Sequence, residues 1–204
     1  MKILTMKFGG TSVADIDRIR AVRDIISDEI KDGWNVVAVV SAMSKETNKL
    51  IDLAKQVGVE NLVDPEYDAL ISTGEDVSSS LLAIALNSIE ISSRSWRGWQ
   101  LPIRTDSFHS NAKIEEINTN QIINSFKEGI KVAVVSGFQG IEQGGRITTL
   151  GRGGSDTSAV AIAAAIDAER CDIYTDVSGI YTTDPRIKRN AAKLKKISFE
   201  EMLE

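Results

Sequence analysis

Two stretches of this chain, VVAVVS (36–41) and KVAVVSGF (131–138), carry β-branched runs without the polar alternation of a half-exposed strand. A strand that is apolar on both faces must be covered on both, which helical crossovers in a parallel sheet achieve. Upstream, ILTMKF (3–8) is strand-like and ends in Gly9-Gly10-Thr11-Ser12. After that turn Ile16, Ile19, Val22, Ile25, Ile26 and Ile30 recur at helical spacing, and Gly33 closes the helix. Strand, helix and strand in this order predict a βαβ opening and a mainly parallel sheet. A Gly-rich connection, GGRITTLGRGGSDTS (144–158), leads into the Ala-rich helical stretch AVAIAAAIDAE and then a third buried-type strand, CDIYTD (171–176), with Pro185 in the loop beyond. Around Trp96, Trp99 and Thr105 the pattern is less regular and reads as short strands and hairpins. No repeat, low-complexity tract or linker divides the sequence, so one α/β domain over residues 1–204 is expected.

Composition narrows the class. At 204 residues with 42% hydrophobic and 26% charged side chains, the chain can bury a sizeable core. A formal net charge of −5 argues against a general binder of nucleic acid or anionic membrane. Cys171 is the only cysteine, so no intrachain disulfide framework exists. The N-terminal MKILTMKFGG reaches glycine before a leader-length apolar core develops, and the uncharged segment from Val77 to Ile89 is too short to span a bilayer. A cytoplasmic protein that engages neither membrane nor nucleic acid is the expectation.

In open parallel sheets ligands bind beyond the C-terminal strand ends. Segments 9–12, 41–48, 137–140 and 175–185 leave strands there with glycine, small or polar residues, which suggests a phosphate-handling cleft. Lys7 precedes Gly9-Gly10 at a strand-to-helix turn, where a cation neutralises charge on a transferring phosphoryl group; an exposed lysine beside an ordinary turn is the plain alternative. The segment lacks Walker A spacing. Arg152, Ser155 and Asp156 lie in GRGGSDTS (151–158), where a guanidinium suits a carboxylate or phosphate, and where Ser155 or Asp156 could instead simply cap a helix. Thr175, Asp176, Tyr181 and Arg186 share one polar loop, suited to a nucleotide or to a surface turn. Glu75, in Thr73-Gly74-Glu75, sits near a helix start, where capping would also explain it. His109 reads as a surface or substrate-loop histidine, Cys171 as a buried strand residue, and Trp96 and Trp99 as hairpin packing.

Taken in order, KFGGTSV (7–13), VVSAMSKETN (39–48), STGED (72–76), TTLGRGGSDTSA (148–159) and YTDVSGIYTTDPR (174–186) resemble the aspartate kinases of the amino-acid kinase family. The resemblance covers nearly the whole chain, and ISFEEMLE (197–204) continues it. It implies a three-layer α/β/α sandwich around a mainly parallel open sheet. It also implies transfer of the γ-phosphoryl of MgATP to the β-carboxylate of L-aspartate, the entry step to lysine, threonine and methionine. By the same resemblance Lys7 would stabilise the transferring group, with Gly9 and Gly10 as backbone donors, and Asp156 would organise Lys7 and the phosphates. Ser41, Thr47 and Glu75 would hold the amino acid, Glu75 through its ammonium group. Arg152 would grip a substrate carboxylate, and Ser155 would contact the same ligand. Thr175, Asp176, Tyr181 and Arg186 would face the nucleotide. Magnesium would arrive with ATP, with no dedicated protein metal site.

Three departures accompany the resemblance. Ser44 stands where the family often has glycine. The paired ACT regulatory domains are absent from the sequence, so feedback by lysine or threonine is not expected within it. A family segment with a phosphate-binding lysine would lie beyond Glu204. The expectation is therefore a C-terminally incomplete catalytic domain, either as a homo-oligomer or associated with a chain that supplies the missing parts. The alternative is a catalytically weak fragment that acts as a binding or assembly partner.

Overall fold

The computed structural model describes residues 1–58, 63–176, 179, 188 and 190–194. Ile3–Phe8 forms β1, Ile16–Lys31 forms α1 and Asn35–Val40 forms β2, with β1 and β2 parallel and Lys7 in register with Val39. The crossover helix starts where Asp15 accepts a hydrogen bond from Arg18 N (2.9 Å), capping the first turn. It ends at Gly33, whose φ of +87° needs no side chain and whose N–H bonds Ile30 O at 3.0 Å.

The chain continues through α2 (Glu46–Gln56), α3 (Pro65–Ile71), α4 (Thr73–Asn87), β3 (Ser93–Trp96), β4 (Ile103–Thr105), β5 (Ile114–Ile117) and α5 (Asn120–Lys127). It then forms β6 (Val132–Ser136), β7 (Gln139–Ile141), β8 (Ile147–Thr149), α6 (Gly154–Ala165) and β9 (Arg170–Tyr174). Five strands make one wholly parallel sheet in the order β3-β6-β2-β1-β9. A second sheet, β5-β4-β7-β8, is mixed: β4 runs parallel to β7, and the outer pairs are antiparallel.

The β-branched runs behave as their composition demands. Residues Val36 to Val40 are all fully buried, and alternate side chains enter two different cores. Val36, Ala38 and Val40 join Leu4, Met6 and Phe8 beneath α1 and α4. Val37 and Val39 join Ala133, Val135, Ala159 and Ile162 beneath α5 and α6. The result is the expected three-layer α/β/α arrangement. The 23-residue α3–α4 run Pro65–Asn87 contains an 18-residue window of mean hydropathy 1.2, long and apolar enough to cross a membrane by length and composition, but half of that window is buried within the fold.

Three local expectations are corrected. Trp96 is not in a hairpin: it ends β3, a parallel edge strand, and is 1% exposed, while Trp99 in the following turn is exposed. Cys171 is exposed on edge strand β9 rather than buried. The α6 cap is Gly153, with no side-chain cap bond, so Ser155 and Asp156 lie inside the first turn instead of capping it. Residues Met1–Tyr174 form one compact unit and Thr175–Glu204 a second; in the latter Ala191 N bonds Lys188 O at 3.0 Å.

Candidate functional site

Strand alternation sends Ile3, Thr5 and Lys7 to the α6 side of the sheet. Lys7 is only 8% exposed, and its Nζ lies 2.7 Å from Asp156 Oδ1 in the first turn of α6. Burying an ammonium is costly unless an opposite charge meets it, and Asp156, with about half its side chain exposed, supplies that charge at the helix mouth. Gly9 and Gly10 follow at the strand end. Neither adopts left-handed backbone; they are needed for space instead. A Cβ on Gly10 would stand 3.1 Å from Ala42 O, and one on Gly9 3.4 Å from Lys7 Nζ. Gly9 N extends the ladder to Tyr174 O (3.3 Å), whereas Gly10 N has no backbone acceptor among the described residues.

The end of β2 meets the start of α4. Ser78 Oγ donates to Ser41 O (2.7 Å), and Ala42 N donates to Glu75 Oε1 (3.0 Å). Gly74 permits this closeness, since a Cβ there would come within 2.8 Å of Ala42 Cβ. Glu75 is 3% exposed, and its Oε2 has no hydrogen-bond partner among the described residues. Burial pushes its carboxyl up to about 8, against the smaller opposing effect of the Ala42 amide. A buried, half-satisfied carboxyl of this kind is ready to receive a cationic donor. Ser41 and Thr47 are both half-buried, Thr47 in the first turn of α2.

The third wall is the bend after β6. Gly137 is forced to be glycine by α6: a Cβ would lie 3.0 Å from both Cβ and Oγ of Ser155. Phe138 takes φ +69°, and its N–H is held by Ser158 Oγ at 3.0 Å. Arg152 sits between Gly151 (φ +72°) and Gly153 (φ +73°), exposed, with no ion pair or hydrogen bond among the described residues. The structure thus brings Lys7, Gly9, Gly10, Ser41, Glu75, Ser155 and Asp156 to the C-terminal ends of β1, β2 and β6. Thr175 and Asp176 open the second unit and are exposed, with Thr175 Oγ1 3.4 Å from Asp176 Oδ1. Tyr181 and Arg186 lie outside the described residues.

Sequence reading missed the polar frame behind these residues. Asp76 Oδ1 accepts from Ser136 Oγ (2.9 Å) and Gln139 Nε2 (3.2 Å), and its Oδ2 pairs with Arg97 Nε (3.1 Å). Gln139 also reaches Ser72 O and Gly98 N. Only the adjacency of Asp76 to Glu75 hinted at this, because Ser136 and Gln139 lie far away in sequence. His109, read as a surface or substrate-loop residue, instead places Nδ1 3.0 Å from Oδ2 of the fully buried Asp68. No group of three or more His, Cys, Asp or Glu able to hold a metal occurs among the described residues.

Comparison with known proteins bears on the family and the fold. The amino acid kinase family model matches residues 2–204. An aspartokinase from Bacillus sp. (strain MGA3) is 52% identical over the whole chain, which covers 49% of that protein. The chain therefore spans about half the length of the curated relatives it matches. Among solved structures, aspartate kinase from Synechocystis superposes with a TM-score of 0.82 at 45% identity, over 98% of this chain and 33% of that one. E. coli aspartokinase III in complex with aspartate and ADP gives 0.80 at 29% identity, over 95% and 53%. With this match over nearly every residue, and with the parallel sheet described above, the chain belongs to the amino acid kinase family.

Proposed function

We propose that the chain carries the catalytic machinery of an aspartate kinase, moving the γ-phosphoryl of ATP to the β-carboxylate of L-aspartate to give 4-phospho-L-aspartate and ADP. The observation that carries this reading is the buried Lys7 paired with Asp156 at a glycine turn after β1, together with a buried carboxyl, Glu75, bonded to Ala42 N after β2 and with one oxygen unpartnered among the described residues. The relatives' names supply the substrate: they are aspartokinases, and one solved relative holds aspartate and ADP.

In this mechanism the attacking β-carboxylate is already ionised at neutral pH, so no general base is needed. Glu75 takes the substrate ammonium, with Ser41 and Thr47 beside it, and Arg152 takes a carboxylate in a fork-to-fork geometry. Ser155 contacts the same ligand. Lys7 lies where charge builds on the phosphoryl oxygens, and Asp156 holds its ammonium in place. The Gly10 amide and the α6 N-terminus favour the same anion, whereas the Gly9 amide is engaged by Tyr174 O. Thr175, Asp176, Tyr181 and Arg186 are assigned to the nucleotide. A magnesium ion bound through ATP phosphates needs only one or two protein carboxylates; Asp156 would be the one to hold it here, and the ion would neutralise phosphate charge. Positioning and charge neutralisation carry the rate.

The deciding measurement is 4-phospho-L-aspartate formation by the purified chain with MgATP and L-aspartate, trapped as the hydroxamate. Aspartate-dependent product that drops by about a thousandfold in Lys7→Ala is the expected result. Absence of product from a folded parent chain would refute autonomous catalysis and favour the assembly-partner reading.

A further inference from the structure

Asp68 is 0% exposed, yet no step of the proposed reaction uses it. Its two oxygens are ringed by donors from two distant segments. Ser110 N approaches Oδ2 at 2.9 Å and Oδ1 at 3.1 Å, and Ser110 Oγ reaches Oδ1 at 3.2 Å. Thr149 N reaches Oδ2 at 2.9 Å, Thr149 Oγ1 reaches Oδ1 at 2.7 Å, and His109 Nδ1 lies 3.0 Å from Oδ2. A carboxylate this enclosed is tolerated because nearly every lone pair is met, and the same bonds hold its donors firmly.

What those donors hold is the start of the Arg152 turn. Thr149 ends β8, and Leu150, Gly151 and Arg152 follow at once. Gly151 rests on the Ser110–Asn111 shelf so closely that a Cβ would stand 3.2 Å from Ser110 O and 2.8 Å from Asn111 Oδ1. Ala112 N bonds Thr149 O at 2.9 Å, and Leu150 N bonds Phe138 O at 2.9 Å. Arg152, exposed and without a side-chain partner among the described residues, has the starting point of its side chain placed by this backbone.

We propose that Asp68 is a positioning residue for Arg152: by clamping Thr149 and the His109–Ser110 loop, it fixes the Gly151–Gly153 turn so that the guanidinium meets a ligand carboxylate already aimed. The proposal rests on the reading of Arg152 as the carboxylate grip. A flexible arginine would lose more freedom on binding than one delivered by a rigid turn, so the clamp acts on carboxylate affinity and not on nucleotide affinity.

The test uses the full chain and the pair Thr149→Val and Thr149→Ser, which removes and restores one donor to Asp68 without altering the backbone bonds. Thr149→Val is expected to accelerate amide exchange at residues 150–154 and to weaken L-aspartate binding, measured calorimetrically, by roughly tenfold, the size of one lost hydrogen bond to a charged group. MgATP binding stays unchanged, and Thr149→Ser restores both properties. In an Arg152→Ala background Thr149→Val has no further effect on L-aspartate, because the clamp acts through Arg152. Unchanged exchange at 150–154, or equal losses for both ligands, or full additivity with Arg152→Ala, would overturn the proposal. A parent chain that binds no L-aspartate refutes the kinase reading; local exchange in Thr149→Val then decides the clamp by itself.

Discussion

Glu75 shows how burial changes what a side chain does. Its carboxyl is pushed from 4.5 up to about 8, chiefly by burial, which favours the protonated form at neutral pH. An unfolded chain would release that proton near the ordinary value. The folded state therefore binds more protons across this window, and the stabilisation present below 4.5 is lost as pH rises towards 8. Glu75→Gln should flatten this part of the stability profile. Urea midpoints should fall less between about pH 5 and about pH 8 in the variant than in the parent. An incoming ammonium favours the ionised form, so the same variant should also weaken L-aspartate binding. Arg152→Ala should raise the KM for L-aspartate by about tenfold or more and leave the KM for ATP near its parent value, as steady-state kinetics would show. Lys7, Glu75, Arg152 and Asp156 were legible from their motifs. Asp68 and Asp76 were not, because what distinguishes them is a ring of hydrogen-bond donors drawn from residues 41 to 81 positions away.

At the scale of elements, the site depends on how closely three strand ends approach two helices. Gly74 lets α4 lie against Ala42, and Gly137 lets the β6 bend lie against Ser155. Gly137→Ala should cost about 1–3 kcal/mol by overpacking and should displace the α6 turn that carries Asp156. Chemical denaturation would read the first effect, and a fall in kcat larger than in Gly144→Ala the second. Gly144 is a suitable control, since its close neighbour is only the end of the half-buried Glu142 side chain. The helical periodicity of α1 and the β-branched runs of β2 and β6 were plain in the sequence. Of the mixed sheet β5-β4-β7-β8 the sequence suggested only irregular short strands near Thr105, and β8 lay within what read as a Gly-rich connection: β7 and β8 have three residues each, too few to express a period.

For the molecule as a whole, the three layers imply a gradient of local stability. Val36 to Val40 and Val132 to Val135 are fully buried, whereas β5 has no fully buried residue and edges the second sheet. Native-state hydrogen exchange should show β1, β2 and β6 opening only with global unfolding, and β5 opening well before them. Equal protection in both sheets would contradict that ordering. The sequence by itself determined the layered class, since strands apolar on both faces must be roofed twice, and it determined which residue types could handle phosphate and carboxylate. Tertiary structure alone decided that Lys7 is buried and paired, that burial raises the Glu75 carboxyl, and that Asp68 grips the strand end before Arg152. The reason is that charge state and aim depend on desolvation and on donors brought from far along the chain, and neither is written in local spacing.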